Sequence, residues 1–160
     1  MAGANKEEFA PLLPPGFYPH DIDGLRNLCV ARFAKSVTRA LCMERLEQVL
    51  VLIQKSGIRG EIWIDGSFVT DKLNPDDVDV LLVVNAHDLA GFSDTQKQFL
   101  SWFASTSLYD SYRIDNYVLV RGPSAESEWW YAYWLRQFGF SRADKMKGIP
   151  TINVPFLVTP

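Results

Sequence analysis

The chain has 160 residues, 48% of them apolar and 22% charged, with a formal net charge of −3. That length fits one domain that buries a core without covalent staples. The slight acidity argues against a general nucleic-acid sleeve, which would be basic overall.

The opening residues contain no apolar run of the signal-peptide kind, and no window of about 18 apolar residues offers a membrane span. The expectation is a cytoplasmic protein with no membrane partner. Two cysteines, Cys29 and Cys42, lack metal-ligand spacing and fall in apolar stretches, so buried thiols in a reducing compartment are expected.

In residues 1–20, Pro11, Pro14, Pro15 and Pro19 break any helix, and "LLPPGFYP" is too apolar to float free. An irregular arm packed on a domain of residues 21–160 is expected. A short helix over 21–35 would begin at Asp21 or Asp23. Over 37–55, Cys42, Leu46, Val49, Leu50 and Ile53 mark one helical face, with Gly57 as the stop. Arg39 on that helix reads as a surface or salt-bridge residue.

"EIWI" (61–64) and the valine-rich "DVDVLLVV" (77–84) read as strands. The spacer between them is too short for a crossover helix, so the sheet is expected to be mixed rather than wholly parallel. A helix over 95–105, capped by Ser93 or Asp94, would turn Phe99, Trp102 and Phe103 inward. "YRIDNYVLV" (112–120) is the next strand. "AESEWWYAYWLRQF" is a helix capped by Ser124, and "GIPTINVPF" is a last strand or, given its prolines, an edge segment. The fold class is α/β in the α+β sense, a mixed β-sheet with helices packed on it.

The informative stretch is "IDGSFVTDKLNPDDVDVLL". Asp77 and Asp79 alternate along a strand, so they share a face, their Cβ atoms roughly 6.5–7 Å apart. In isolation the pair would read as a solvated strand end, because Asn74, Pro75 and Asp76 are turn residues. Asp76 points away from Asp77 and is assigned to that turn. Asp115 alters the reading: it sits in an apolar run with no turn chemistry beside it. Carboxylates held together out of water repel one another unless a cation joins them, and oxygen donors suit Mg²⁺ or Mn²⁺. Upstream, Gly66 permits close approach of a ligand to the backbone, and the Ser67 hydroxyl with nearby N–H groups suits phosphate oxygens.

A strand, Gly66-Ser67, a nine-residue spacer, Asp77-Val78-Asp79 and a later strand aspartate together resemble the nucleotidyltransferase superfamily that includes DNA polymerase beta. "LPPGFYP", "IDGSFVTDK", "FGFSR" and "KGI" are similar to a group of small bacterial nucleotidyltransferase-like proteins. The resemblance implies a nucleotidyltransferase fold. It implies Asp77, Asp79 and Asp115 as metal-binding and catalytic acids, and a nucleoside triphosphate whose phosphates lie on Gly66 and Ser67. The acceptor hydroxyl would belong to a protein, an RNA or a small molecule. The small size resembles the minimal nucleotidyltransferases of toxin–antitoxin and phage-defence modules, which makes a partner protein or tRNA the favoured acceptor. The alternative is a nucleotidyltransferase-fold binding module, antitoxin-like, that does little chemistry.

Phosphates also call for cations. Lys72 follows the Gly-Ser turn, and Arg142, Lys145 and Lys147 cluster in "SRADKMKG"; Lys72, Arg142 and Lys147 are the expected phosphate contacts. The aromatics of "EWWYAYWL" read first as core or interface packing and second as a stacking surface for a base. Neither the nucleotide nor the oligomeric state is specified by these residues.

Overall fold

The computed structural model describes residues 6–156. In chain order the elements are β1 (Gly16–Pro19), α1 (Ile22–Arg26), α2 (Arg39–Lys55), β2 (Gly60–Asp65), β3 (Val78–Asn85), α3 (Ala86–Ala90), α4 (Asp94–Ser105), α5 (Tyr109–Tyr112), β4 (Ile114–Arg121), α6 (Ala125–Gly139) and β5 (Gly148–Val154). A π-helical turn, Asn27–Ala31, follows α1, and a 3-10 turn, Ser67–Val69, follows β2.

The strands form one sheet in the order β1-β5-β2-β3-β4. β2 is antiparallel to both neighbours, whereas β1 runs parallel to β5 and β3 parallel to β4. The sheet is therefore mixed, as the spacer length requires. The parallel step from β3 to β4 is made by α3, α4 and α5, enough chain for a crossover.

Start signals act locally as expected. Asp21 caps α1 by accepting from the Gly24 N–H, Ser93 and Gln96 form a reciprocal capping box on α4, and Ser124 caps α6.

Two elements differ from the sequence reading, and a third takes the strand form of the two alternatives it allowed. The N-terminal arm is not irregular throughout: Gly16–Pro19 pairs with β5 as an edge strand. The arm then packs so closely that a Cβ on Gly148 would sit 2.3 Å from the Pro14 carbonyl oxygen. Residues Tyr109–Tyr112 form a helical turn, so β4 begins two residues later than its apolar run suggests. β5 is an interior strand, and it tolerates Pro150 because its ladder with β2 covers only Thr151–Val154.

Alternation of side chains gives the sheet two covered faces. Ile62, Ile64, Val80 and Leu82 pack with Leu46, Val49, Leu50 and Ile53 of α2 and with Leu100 and Phe103 of α4. Trp63, Leu81, Val83, Leu119 and Ile149 lie under α6, which sets Tyr131, Trp134, Leu135 and Phe138 on them. The aromatic helix is thus split: one face is core, while Trp129 and Trp130 remain exposed. Trp102, expected inward, is also exposed, since Phe99 and Phe103 take the inward face of α4.

Arg39 overturns its sequence reading most sharply. It is 0% exposed and, among the described residues, forms no ion pair with a carboxylate. Its Nη1 donates to the carbonyls of Cys29 and Phe68 at 2.7 Å, and its Nη2 to those of Thr70 and Lys72 at 2.6 Å. Nε donates to Lys72 as well, at 3.1 Å, and the guanidinium stacks 3.6 Å over the Phe33 ring. A cation at a helix start opposes the helix dipole, so the carbonyls must account for its place there. Nearby, the Asn74 Oδ1 accepts from the Ser36 hydroxyl and the Val37 N–H, which fastens the far end of the same loop.

Arg39→Ala should lower unfolding free energy by about 3–5 kcal/mol, because it leaves several buried carbonyls unpaired. Arg39→Lys should recover little, since an ammonium cannot reproduce the planar fork. Urea denaturation checks both; a loss under ~1 kcal/mol for the alanine variant would remove the clamp from its structural role.

Candidate functional site

Strand register places the site. Asp65, the last residue of β2, lies directly opposite Asp79 of β3, and Asp79 lies directly opposite Asp115 of β4. Three carboxylates thus stand in one row across three adjacent strands, spaced at the ~4.8 Å interval between strands. They share the face of Trp63, Leu81 and Leu119, which is the α6 side of the sheet. Asp77 immediately precedes β3 and is half-buried beside the row, while Asp76 is exposed.

Electrostatics follow from that crowding. Burial first, and then the charges of Asp65, Asp115 and Asp77, push the Asp79 carboxyl up to about 7. Asp77 is raised by burial and then by Asp115 and Asp76. Burial also raises Asp65, opposed by Lys147, whose Nζ donates to Asp65 Oδ1 at 2.5 Å. The Tyr117 hydroxyl, two residues along β4, is raised by burial and then by Asp79 and Asp115.

The turn after β2 closes the site from above. Gly66 has φ +93°, and a Cβ there would lie 3.2 Å from Asp79 Oδ2. Both facts call for glycine at this position. The 3-10 turn's own bonds run from Val69 N–H to the Gly66 carbonyl and from Thr70 N–H to the Ser67 carbonyl. The N–H groups of Ser67 and Phe68 precede them.

The basic residues divide. Lys147 is drawn in by Asp65. Lys72 is half-buried on the loop that Arg39 clamps, and its charge acts on Asp77. Arg142 and Lys145 are exposed in the loop before β5, and among the described residues Arg142 makes no ion pair. Asp65 was missed by sequence reasoning. Its signal was present, an aspartate closing the apolar run "EIWID", but Gly66 beside it gives it a turn reading that Asp115 lacks.

Among the described residues, no three His, Cys, Asp or Glu side chains stand close enough together to hold a metal ion as they are. The donor chemistry nonetheless fits a hard divalent cation. The row offers only carboxylate oxygens, and Lys147 offsets one of its charges.

Because folding raises the pKa of Asp79, the folded state holds that proton more tightly than the unfolded chain does. The resulting stabilisation is complete below about pH 4 and is lost as pH rises through about 7. In chelator, Asp79→Asn should therefore raise the melting temperature by about 5–10 °C at pH 8 and by little at pH 4. Equal melting of variant and wild type at pH 8 would mean that the charge at 79 is already compensated. Gly66→Ala should cost about 1–2 kcal/mol, from the positive φ and the push on Asp79, as read by urea denaturation.

Among the described residues no helix is long and apolar enough to cross a membrane. No curated protein and no solved structure matches the chain. A family model matches residues 6–153, and the chain belongs to that family, DUF6932, a family of unknown function.

Proposed function

We propose that this protein is a metal-dependent nucleotidyltransferase that moves a nucleoside monophosphate from a nucleoside triphosphate to a hydroxyl. The observation that supports this most is the row Asp65, Asp79 and Asp115, with Asp77 beside it, under the Gly66-Ser67 turn. Asp77, Asp79 and Asp115 would hold Mg²⁺ or Mn²⁺. Bound there, the ion would stabilise charge on the attacking and leaving oxygens.

The remaining work falls to the chain itself. Gly66 and Ser67 bring backbone and hydroxyl donors to the phosphates, and Lys72 meets them from the clamped loop. Asp65 holds Lys147 at the end of the acid row, as a fixed cation facing the same ligand. As the acceptor oxygen bonds to the α-phosphorus, the bond to the β-phosphate oxygen breaks and pyrophosphate leaves. The hydroxyl proton passes to Asp115. A partner protein or tRNA is the favoured acceptor, in a toxin–antitoxin or phage-defence setting.

A second reading, a binding module with little chemistry, draws on one observation: Lys147 already neutralises part of the acid row without any metal.

Calorimetry with Mn²⁺ and a non-hydrolysable triphosphate should show binding that Asp77→Asn combined with Asp79→Asn abolishes; unchanged binding in that double variant would sink the metal assignment. Asp115→Asn should keep most triphosphate affinity yet slow label transfer from NTP to total cell protein or RNA by ~100-fold or more. Wild type that binds metal and triphosphate but labels nothing selects the binding module.

A further inference from the structure

β4 is one edge of the sheet, and its outer side is neither bare nor capped by a strand. Val78 N–H donates to the Arg113 carbonyl, which sets the phase of the parallel ladder. From it, the N–H and C=O groups of residues 115, 117 and 119 turn toward β3, and those of 114, 116, 118 and 120 turn outward. Leu108 bridges Ile114, and the Val120 carbonyl accepts from the Ser127 hydroxyl. That leaves a free stretch of edge at Asn116, Val118 and the Val120 N–H.

This stretch forms the floor of a groove of about 610 Å³. Tyr117, Val118 and Val120 line it from β4, Trp130 and Trp134 from α6, and Ala104 from α4. The lining is mainly apolar, with Tyr117 37% and Trp130 43% exposed. A partly exposed row of amide donors and acceptors between apolar walls is chemistry that another β-strand satisfies.

The walls decide what kind of strand. Trp130 and Trp134 of α6 and Ala104 of α4 flank the edge, so whatever pairs with it must enter between these walls to reach a strand spacing of ~4.8 Å. A single extended segment has no such walls, and five residues of it span about 17 Å, the length of the free edge. Charge adds direction. Beyond Asn116 at one end of the groove comes Asp115, with Asp77 and Asp79 behind it, while at the other end the single acid Glu126 lines the groove and the Arg121 guanidinium is held over the Tyr131 ring.

We infer that the β4 groove binds an extended segment of a partner protein by strand addition. The segment carries apolar side chains at alternate positions and a Lys or Arg at the end nearest Asp115. This interaction surface goes beyond the nucleotidyl-transfer reading and holds whether or not the acids are catalytic.

Selection of a displayed random peptide library on the full-length chain tests it, with the recovered peptides then measured by fluorescence polarisation. Recovered peptides should share the alternating apolar pattern with a terminal cation. On binding, they should slow amide hydrogen exchange at Asn116, Val118 and Val120. Val118→Pro removes an outward N–H and spares the ladder to β3, and it should weaken binding about tenfold or more. Ala104→Arg, on an exposed helix face, should fill the groove and do the same even if the proline variant does not fold. Failure to recover any peptide, or peptides that bind Ala104→Arg as well as wild type, would overturn the proposal. So would a concentration-dependent wild-type dimer that Ala104→Arg dissolves, since the groove would then belong to a second copy.

Discussion

The buried guanidinium of Arg39 is the constraint on which the rest of the site depends. The segment from Gly66 to Asp77 has only one short 3-10 turn, so its carbonyls cannot be satisfied by a ladder. Arg39 gathers three of them, from Phe68, Thr70 and Lys72, together with the Cys29 carbonyl from the turn after α1. One side chain therefore ties the first helical layer to the loop that roofs the acids. Partial negative charge on four carbonyl oxygens stands in for a counter-ion, which explains how a cation lies inside the core without an acid beside it. The buried Cys29 and Cys42 thiols line the same region, and burial pushes Cys29 up to about 12, so they contribute bulk and no charge.

With the loop fixed, the sheet concentrates charge on one side. The α2 face is apolar except for Asn116, whose amide is satisfied by the Leu108 N–H and the Phe103 and Thr106 carbonyls. On the α6 face the pattern changes abruptly, from Trp63, Leu81 and Tyr117 to Asp65, Asp79 and Asp115 within one step along each strand. β2 enters this row by its C-terminal end, whereas β3 and β4 enter by their N-terminal ends. That convergence is available only in a mixed sheet, because wholly parallel strands would deliver like ends with their crossovers on the same rim.

Much of this was legible in the residues. Periodicity located α2, the acids of β3 and β4 stood out against apolar runs, and spacer length excluded a wholly parallel sheet. Other features depended on tertiary partners. Arg39 looks like any surface arginine until its carbonyl partners are brought from thirty residues away. β1 exists only because β5 offers it an edge, and four residues containing a proline carry little strand signal of their own. Asp65 was hidden differently: beside Gly66 it reads as turn chemistry, and only the register shows that it still belongs to the strand and faces Asp79.

The contact between Lys147 and Asp65 joins positions 82 residues apart. Until β5 docks, a partly folded chain holds the acid row with no ammonium at its end. Local helices and the β2–β3 pairing form from near neighbours, whereas this neutralisation waits on a long-range closure. The pairing needs the residue just before β5 to reach the end of β2, so relief of the electrostatic conflict at the centre of the sheet is coupled to the docking of β5. Any nascent or clipped chain that lacks residues near 147 keeps its aspartates in tension and its sheet correspondingly loose.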